Sequence, residues 1–140
     1  MLIKLDNGAV LPTGAHESDA GYDLYTPCAF TLQGGSTALI DTGVHFLIPE
    51  GYAGIIMPKS GLNVKHGILT DGLIDSGYTG SVRVKLYSMT EDNVFNDKHF
   101  DKGDKIAQIV FVPVFTPELE PVQELPETER GENGFGSSGR

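Results

Sequence analysis

The chain has 140 residues, one cysteine, 39% hydrophobic residues and a formal net charge of −9. This is the size of one ordinary domain with one modest core. The acidic balance argues against a general nucleic-acid binder, no apolar run is long enough to span a membrane, and a single Cys28 cannot build a disulfide framework.

The opening MLIKLDNGAV lacks the apolar stretch of a signal peptide. Together with the lone thiol this fits a reducing, cytoplasmic setting. Cys28 itself has no catalytic context and is expected to be a buried or half-buried structural thiol. Acidity does not exclude a small anionic ligand, which needs only local positive charge, backbone N–H groups or a metal ion.

In AGYDLYTP, residues 20–27, Asp23 sits among apolar and aromatic residues. An inward carboxylate needs a partner, and either magnesium with its water shell or a buried hydrogen bond would serve. FTLQGGSTALI then reads as two strands around Gly34–Gly35. VHFLIPEGYAGIIM reads as two more around Pro49-Glu50-Gly51. PKSGL, residues 58–62, ends a strand at Pro58 and opens a short helical turn over 60–67. Lys59, Ser60 and the free amides there make a small anion site, although many ordinary turns look alike.

DGLIDSGYTG, residues 71–80, reads as a tight hairpin bounded by glycines. Asp75 lies between Ile74 and the turn, where partial burial would make it a better base. Tyr78 can offer its ring face to a flat ligand; a turn aspartate and a packing tyrosine are the plainer alternative. In SVRVKLYSM, Val82, Val84 and Leu86 alternate with Arg83, Lys85 and Tyr87, the period of a half-buried strand. KIAQIVFVPVF is a long β-rich run, with Pro113 marking an edge or bend. Gln108 interrupts it, as a ligand contact or as an ordinary edge residue.

The four histidines show no metal-ligand spacing. Short strands with turn signals at this spacing indicate an all-β sandwich or barrel. From Thr116 the chain turns acidic and proline-rich and reads as an extended arm. It ends in RGENGFGSSGR, where four glycines surround Phe135. A disordered end is the alternative reading of this tail.

Taken in order, AGYDL, PKSGL, GLIDSGYTG, GDKIAQIV and RGENGFGSSG resemble the five motifs of the trimeric dUTPases, over nearly the whole chain. The resemblance implies a jelly-roll-like β-barrel over 1–116, an arm and glycine-rich lid over 117–140, and a homotrimer whose active sites are shared between chains. It implies magnesium-assisted hydrolysis of dUTP to dUMP and pyrophosphate by water attack on the α-phosphorus, which limits uracil in DNA and supplies dUMP for dTMP synthesis.

Carried over by position, Asp75 activates the attacking water and Asp23 holds magnesium through water. Tyr78 packs against deoxyribose and excludes a 2′-hydroxyl. Gly72, Leu73 and Ile74 belong to the hairpin that reads uracil. Lys59, Ser60, Gly61 and Gln108 contact phosphates. Arg130 pairs with the γ-phosphate, Phe135 stacks over uracil, and Gly134, Gly136, Ser137 and Ser138 wrap the triphosphate.

Three departures stand out. Lys59 replaces an arginine and loses its planar fork. Asn133 stands where a glycine is usual. The segment before Gly72 lacks an asparagine that some members present to the base. A dCTP deaminase shares the fold, but no match to its catalytic motif is present. A regulatory binding module on the same scaffold is the rival from another class, and the intact Asp75 argues against lost catalysis.

Overall fold

The computed structural model describes residues 1–14, 16, 18–89 and 97–131. Its elements, in chain order, are β1 (Leu2–Leu5), β2 (Tyr22–Tyr25), β3 (Phe30–Leu32), β4 (Thr37–Asp41), β5 (Val44–Leu47), β6 (Tyr52–Met57), α1 (Ser60–His66), β7 (Ile68–Ile74), β8 (Arg83–Ser88), β9 (Lys98–Phe100) and β10 (Lys105–Pro113). The strands pair antiparallel throughout. The large sheet has the order β2-β10-β6-β7-β8-β4, and β1-β5 and β3-β9 form two-stranded ribbons. This is the all-β, jelly-roll-like fold expected.

The alternation in β8 does what its period requires: Val84 and Leu86 are fully buried while Arg83 and Lys85 face water. One apolar core collects Leu24, Ile56, Ile106 and Ile109 from the large sheet, Leu32 and Phe100 from one ribbon and Val44 and Phe46 from the other. The short helix ends on Gly67, whose left-handed backbone (φ 59°) accommodates a C-cap. At Pro113 the missing N–H breaks no ladder bond on the β2 side, because β2 pairs β10 only as far as Ile109.

Both turns form between two strands as read, though the flanking strands do not pair with each other, and the cysteine needs correction. The strands flanking Gly34–Gly35 form, but β3 pairs β9 and β4 pairs β8. Those flanking Pro49–Gly51 likewise part, β5 to β1 and β6 to β10 and β7. The physical reason is backbone sign. Positive φ falls on Gly35 (72°) and Gly51 (81°), the second central residue of each turn. That is type II placement, which splays the flanking strands instead of pairing them. Cys28 is exposed, not buried. It lies in the bend after β2, where Thr26 Oγ1 donates to the Cys28 carbonyl (2.6 Å) and turns the chain outward.

Gly21, just before β2, shows where close approach demands glycine. A Cβ there would lie 2.8 Å from the Ile109 carbonyl oxygen and 3.0 Å from Val110 Cγ2. Gly21→Ala should therefore push β2 away from β10 and lower stability by about 1–3 kcal/mol. Gly61→Ala, which meets nothing within 4 Å, should be neutral or slightly stabilising. Urea unfolding midpoints of the two variants check this.

Candidate active site

Four polar side chains meet where β2, β10 and the end of β6 come together. Asp23 lies on β2, opposite Gln108 of β10, and Gln108 also lies opposite Met57 of β6. The Asp23 N–H donates to the Thr13 carbonyl at 2.8 Å, so its main chain is held from both sides. Two residues beyond Met57, Lys59 reaches back and forms an ion pair with Asp23 Oδ1. Lys105 Nζ binds Asp23 Oδ2 at 2.7 Å. Gln108 Nε2 donates to the Pro58 carbonyl at 3.2 Å and so ties β10 to the segment carrying Lys59.

Asp23 was expected to need magnesium or a buried hydrogen bond; in this chain its carboxylate is ion-paired to two lysines. Lys105 was not among the residues picked out from sequence. Strand alternation puts residues 105 and 108 on opposite faces. The register slips between Lys105 and Ala107, so that Lys105 faces Tyr25 while Gln108 faces Asp23. Tyr25 and Asp23 are two apart and share a face, so the bulge brings Lys105 to the carboxylate. The trace in sequence is the adjacent pair Ile106 and Ala107, both fully buried, which an unbroken alternation cannot bury together.

The Asp23 side chain is only 7% exposed. Burial pushes its carboxyl up, but hydrogen bonds from Lys105 and Lys59, with their charges, overcome this and hold it below the usual carboxylate value. An open groove of about 450 Å³ runs beside Lys105, with Lys98 and Tyr25 on its walls. Ser60 and Gly61 begin α1 next to Lys59 and are exposed. Two ammonium groups that grip a carboxylate can equally grip phosphate oxygens.

The second cluster is the turn between β7 and β8. The hairpin is zipped only between Ile68–Asp71 and Lys85–Ser88. Beyond that its limbs part. Gly72, Leu73 and Ile74 stay on β6. The other limb is strapped to residues 41–45: Val82 N–H donates to Val44 O (2.8 Å), and both the N–H and the hydroxyl of Thr42 donate to Val82 O (3.1 and 2.7 Å). The result is a slot whose 72–74 wall presents strand backbone without a β8 partner.

Asp75 and Tyr78 sit at the mouth of the slot, Tyr78 N–H donating to the Asp75 carbonyl (3.3 Å) and Tyr78 Oη to the Ser81 carbonyl (3.1 Å). Tyr78 is 45% exposed. Asp75 is exposed too, so the partial burial expected for it is not provided by this chain, because the turn projects past the last β6 pairing.

The two clusters do not meet within one chain. Gly54 faces Ile74 and Ile56 faces Gly72, so the end of β6 leading to Lys59 lies beside the start of β7, while Asp75 follows its far end. Met57 and Asp75 differ by about four residues, roughly 13 Å along the strands, and β10 and β7 are about 10 Å apart across them.

Beyond β10 the described residues 114–131 form neither helix nor strand, with Phe115, Leu119 and Leu125 more than four-fifths exposed. Arg130 lies at the end of this stretch, inside the turn closed by Gly131 N–H donating to Thr128 O (3.1 Å). Asn133, Gly134, Phe135, Gly136, Ser137 and Ser138 lie outside the described residues.

Magnesium can be tested against the donors present. Among the described residues no group of three or more His, Cys, Asp or Glu side chains could hold a metal ion. The corner offers the Asp23 carboxylate, with Asp104 along the groove, beside cations suited to phosphate. Magnesium binds through one or two carboxylates, waters and substrate phosphates, and the donor set fits that mode.

Comparison with known proteins shows which family the chain is similar to. A family model described as dUTPase matches residues 7–139. The deoxyuridine 5'-triphosphate nucleotidohydrolase of Clostridium novyi is 42% identical over 139 residues, covering 97% of this chain and 95% of that protein. The one from Leifsonia xyli is 41% identical over 132 residues, covering 92% and 85%. Among solved structures, a variant dUTPase of Staphylococcus bacteriophage 80alpha with dUpNHpp superposes with a TM-score of 0.91 at 34% identity, covering 99% of this chain and 98% of that one. A variant dUTPase from phage phi11 of S. aureus, described with a structural Mg(II) ion, gives 0.79 at 29% identity, covering 90% and 98%.

The lowered Asp23 carboxyl makes a prediction about acid stability. A depressed folded-state value contributes stability above the ordinary carboxylate value of 3.8, and that contribution is lost as pH falls through the folded value. Asp23→Asn should lower stability by about 1–3 kcal/mol near neutrality and should flatten the decline below pH 3.8. Urea midpoints measured from neutral pH into acid check both parts.

Proposed function

We propose how this chain, which belongs to the dUTPase family, carries out the reaction of a dUTP diphosphatase. Water attacks the α-phosphorus of dUTP, and dUMP and pyrophosphate leave. This removes dUTP from the nucleotides open to DNA synthesis and leaves dUMP for dTMP synthesis. The observation that carries the reading is the split hairpin: a slot with free strand backbone on one wall and a carboxylate and a tyrosine at its mouth.

Uracil fits the slot because its edge alternates donors and acceptors, as strand backbone does. Gly72 begins this wall, where a Cβ would come within 3.2 Å of Ile56 Cγ1, with Leu73 and Ile74 following. Tyr78, held by Ser81, lays its ring against the deoxyribose and refuses a 2′-hydroxyl. Asp75 accepts the proton of the attacking water as general base. At the other corner Lys59 and Lys105 exchange Asp23 for phosphate oxygens, with Ser60, Gly61 and Gln108 beside them. Asp23 is then the residue that would hold magnesium through water. Magnesium, when bound, supplies positive charge to the phosphates. From the tail, Arg130 meets the γ-phosphate, and Phe135 with the glycines and serines that follow closes over the nucleotide, excluding water.

The separation of the two clusters supports a site shared between chains of a homotrimer. The hairpin of one chain meets the phosphate corner of another, and an exposed arm with apolar residues spans between them.

Replacing the base tests the chemistry. Asp75→Asn keeps shape and polarity and should lower kcat by about 10²–10⁴-fold while dUMP affinity holds; near-normal turnover removes Asp75 from this role. Mixing tests the assembly. Asp23→Asn and Asp75→Asn proteins, each weakly active alone, should regain turnover when unfolded together and refolded, because some mixed sites then hold both carboxylates. No recovery in mixed trimers means that each chain supplies both.

A further inference from the structure

The limb of the hairpin that forms one wall of the slot is strapped to residues 41–45 by fixed backbone bonds and by one titratable ring. His45 Nδ1 lies 2.8 Å from the Thr79 carbonyl oxygen. His45 Nε2 lies 3.0 Å from Asp6 Oδ2. A carbonyl and a carboxylate only accept, so both ring nitrogens must donate, and both can do so only in the imidazolium. The ring is well shielded, with 15% of its side chain exposed. Thr79 directly follows Tyr78, so this bond is the strap nearest the mouth of the slot.

We propose that His45 is a positioning residue that, as an imidazolium, holds the Thr79 carbonyl and keeps the Tyr78 turn set for the nucleoside, loosening it when the ring loses its proton. Neutral imidazole has one N–H. It must turn a lone pair on either Thr79 O or Asp6, and one of the two contacts becomes repulsive.

The charged groups around the ring favour the proton. Asp6 faces it from the end of β1. Lys4, opposite His45 in the β1–β5 register, pairs with Asp6 at 3.2 Å and opposes the proton weakly. Asp41, which accepts from Ser81 Oγ and lies 3.6 Å from Arg83, forms the next charged group along the strap. The hydrogen bond to Asp6, then that to Thr79, holds the imidazole above its ordinary value of 6.5. A raised value means that the contact is complete below 6.5 and is lost as pH rises through the folded-state value.

This inference rests on the slot being the nucleoside site, and the test separates the two. Deoxyuridine is the probe, because it carries no phosphate to titrate alongside the histidine. Imidazole and amide resonances of the ligand-free protein are followed by NMR from about pH 6 to about pH 9. The Tyr78, Thr79 and Gly80 amides should shift with the midpoint of His45. Asp6→Asn should move that midpoint down towards the ordinary value. The deoxyuridine Kd should rise roughly three- to tenfold above the midpoint, as expected for loss of one charge-assisted contact. His45→Arg, charged throughout, should hold the low-pH affinity. His45→Asn should stay at the high-pH affinity at every pH.

Hairpin amides indifferent to His45, or wild-type affinity and pH dependence in His45→Asn, overturn the proposal. Should a substitution prevent folding, the wild-type amide titration alone decides. Absence of deoxyuridine binding at any pH counts against the slot as the nucleoside site, while the amide shifts still decide the latch.

Discussion

One extra residue in β10 sets the polar half of this protein. Without the bulge between Lys105 and Ala107, Lys105 would face away from Asp23. With it, two ammonium groups close on one buried carboxylate, and Gln108 is held beside the segment that carries Lys59. A buried carboxylate with a single partner would be a poor bargain in desolvation. Paired twice and hydrogen-bonded through its main chain to Thr13, it becomes a stable placeholder whose cations are ready for another anion.

The same logic resolves an apparent contradiction in charge. The chain carries −9 overall, yet its substrate is a polyanion. Fields at contact distance are governed by near neighbours, and long-range repulsion is screened within about 8–10 Å at ordinary salt. Lys98 and Lys105, two of the ten Lys and Arg residues, line one groove, and Lys59 shares Asp23 with Lys105. Local arrangement outweighs net charge here.

The barrel also separates what the chemistry must join. Antiparallel pairing of β6 with β7 sends Lys59 to one end of the sheet and Asp75 to the other. Inside one chain this leaves an open slot, an exposed carboxylate and a distant phosphate corner. Each is a sensible half of a site between copies, since a neighbour would supply the burial that Asp75 lacks. The slot depends in turn on its limbs being pulled apart: β6 takes one and the 41–45 strap takes the other. His45 is the point in that strap where solution pH can act.

Much of this was legible from residue order. The two-residue period of SVRVKLYSM marks β8, the glycines around Asp75 and Tyr78 mark the hairpin, and SGLNVKHG marks the one short helix among the described residues. Five spaced motifs point to the family, because each records a local backbone need that short-range sequence can express. Partner choice was not legible. The strands around Gly35 and Gly51 leave their turns for different sheets, because their pairing partners lie far along the chain. Lys105 escaped because a bulge reverses the face that alternation assigns. Cys28 and Asp75 escaped because exposure depends on what packs above a turn. His45 escaped because its two partners lie 39 and 34 residues away. Local conformation follows from near neighbours in the chain, whereas register, burial and long-range hydrogen bonds exist only once the sheets have closed around one core.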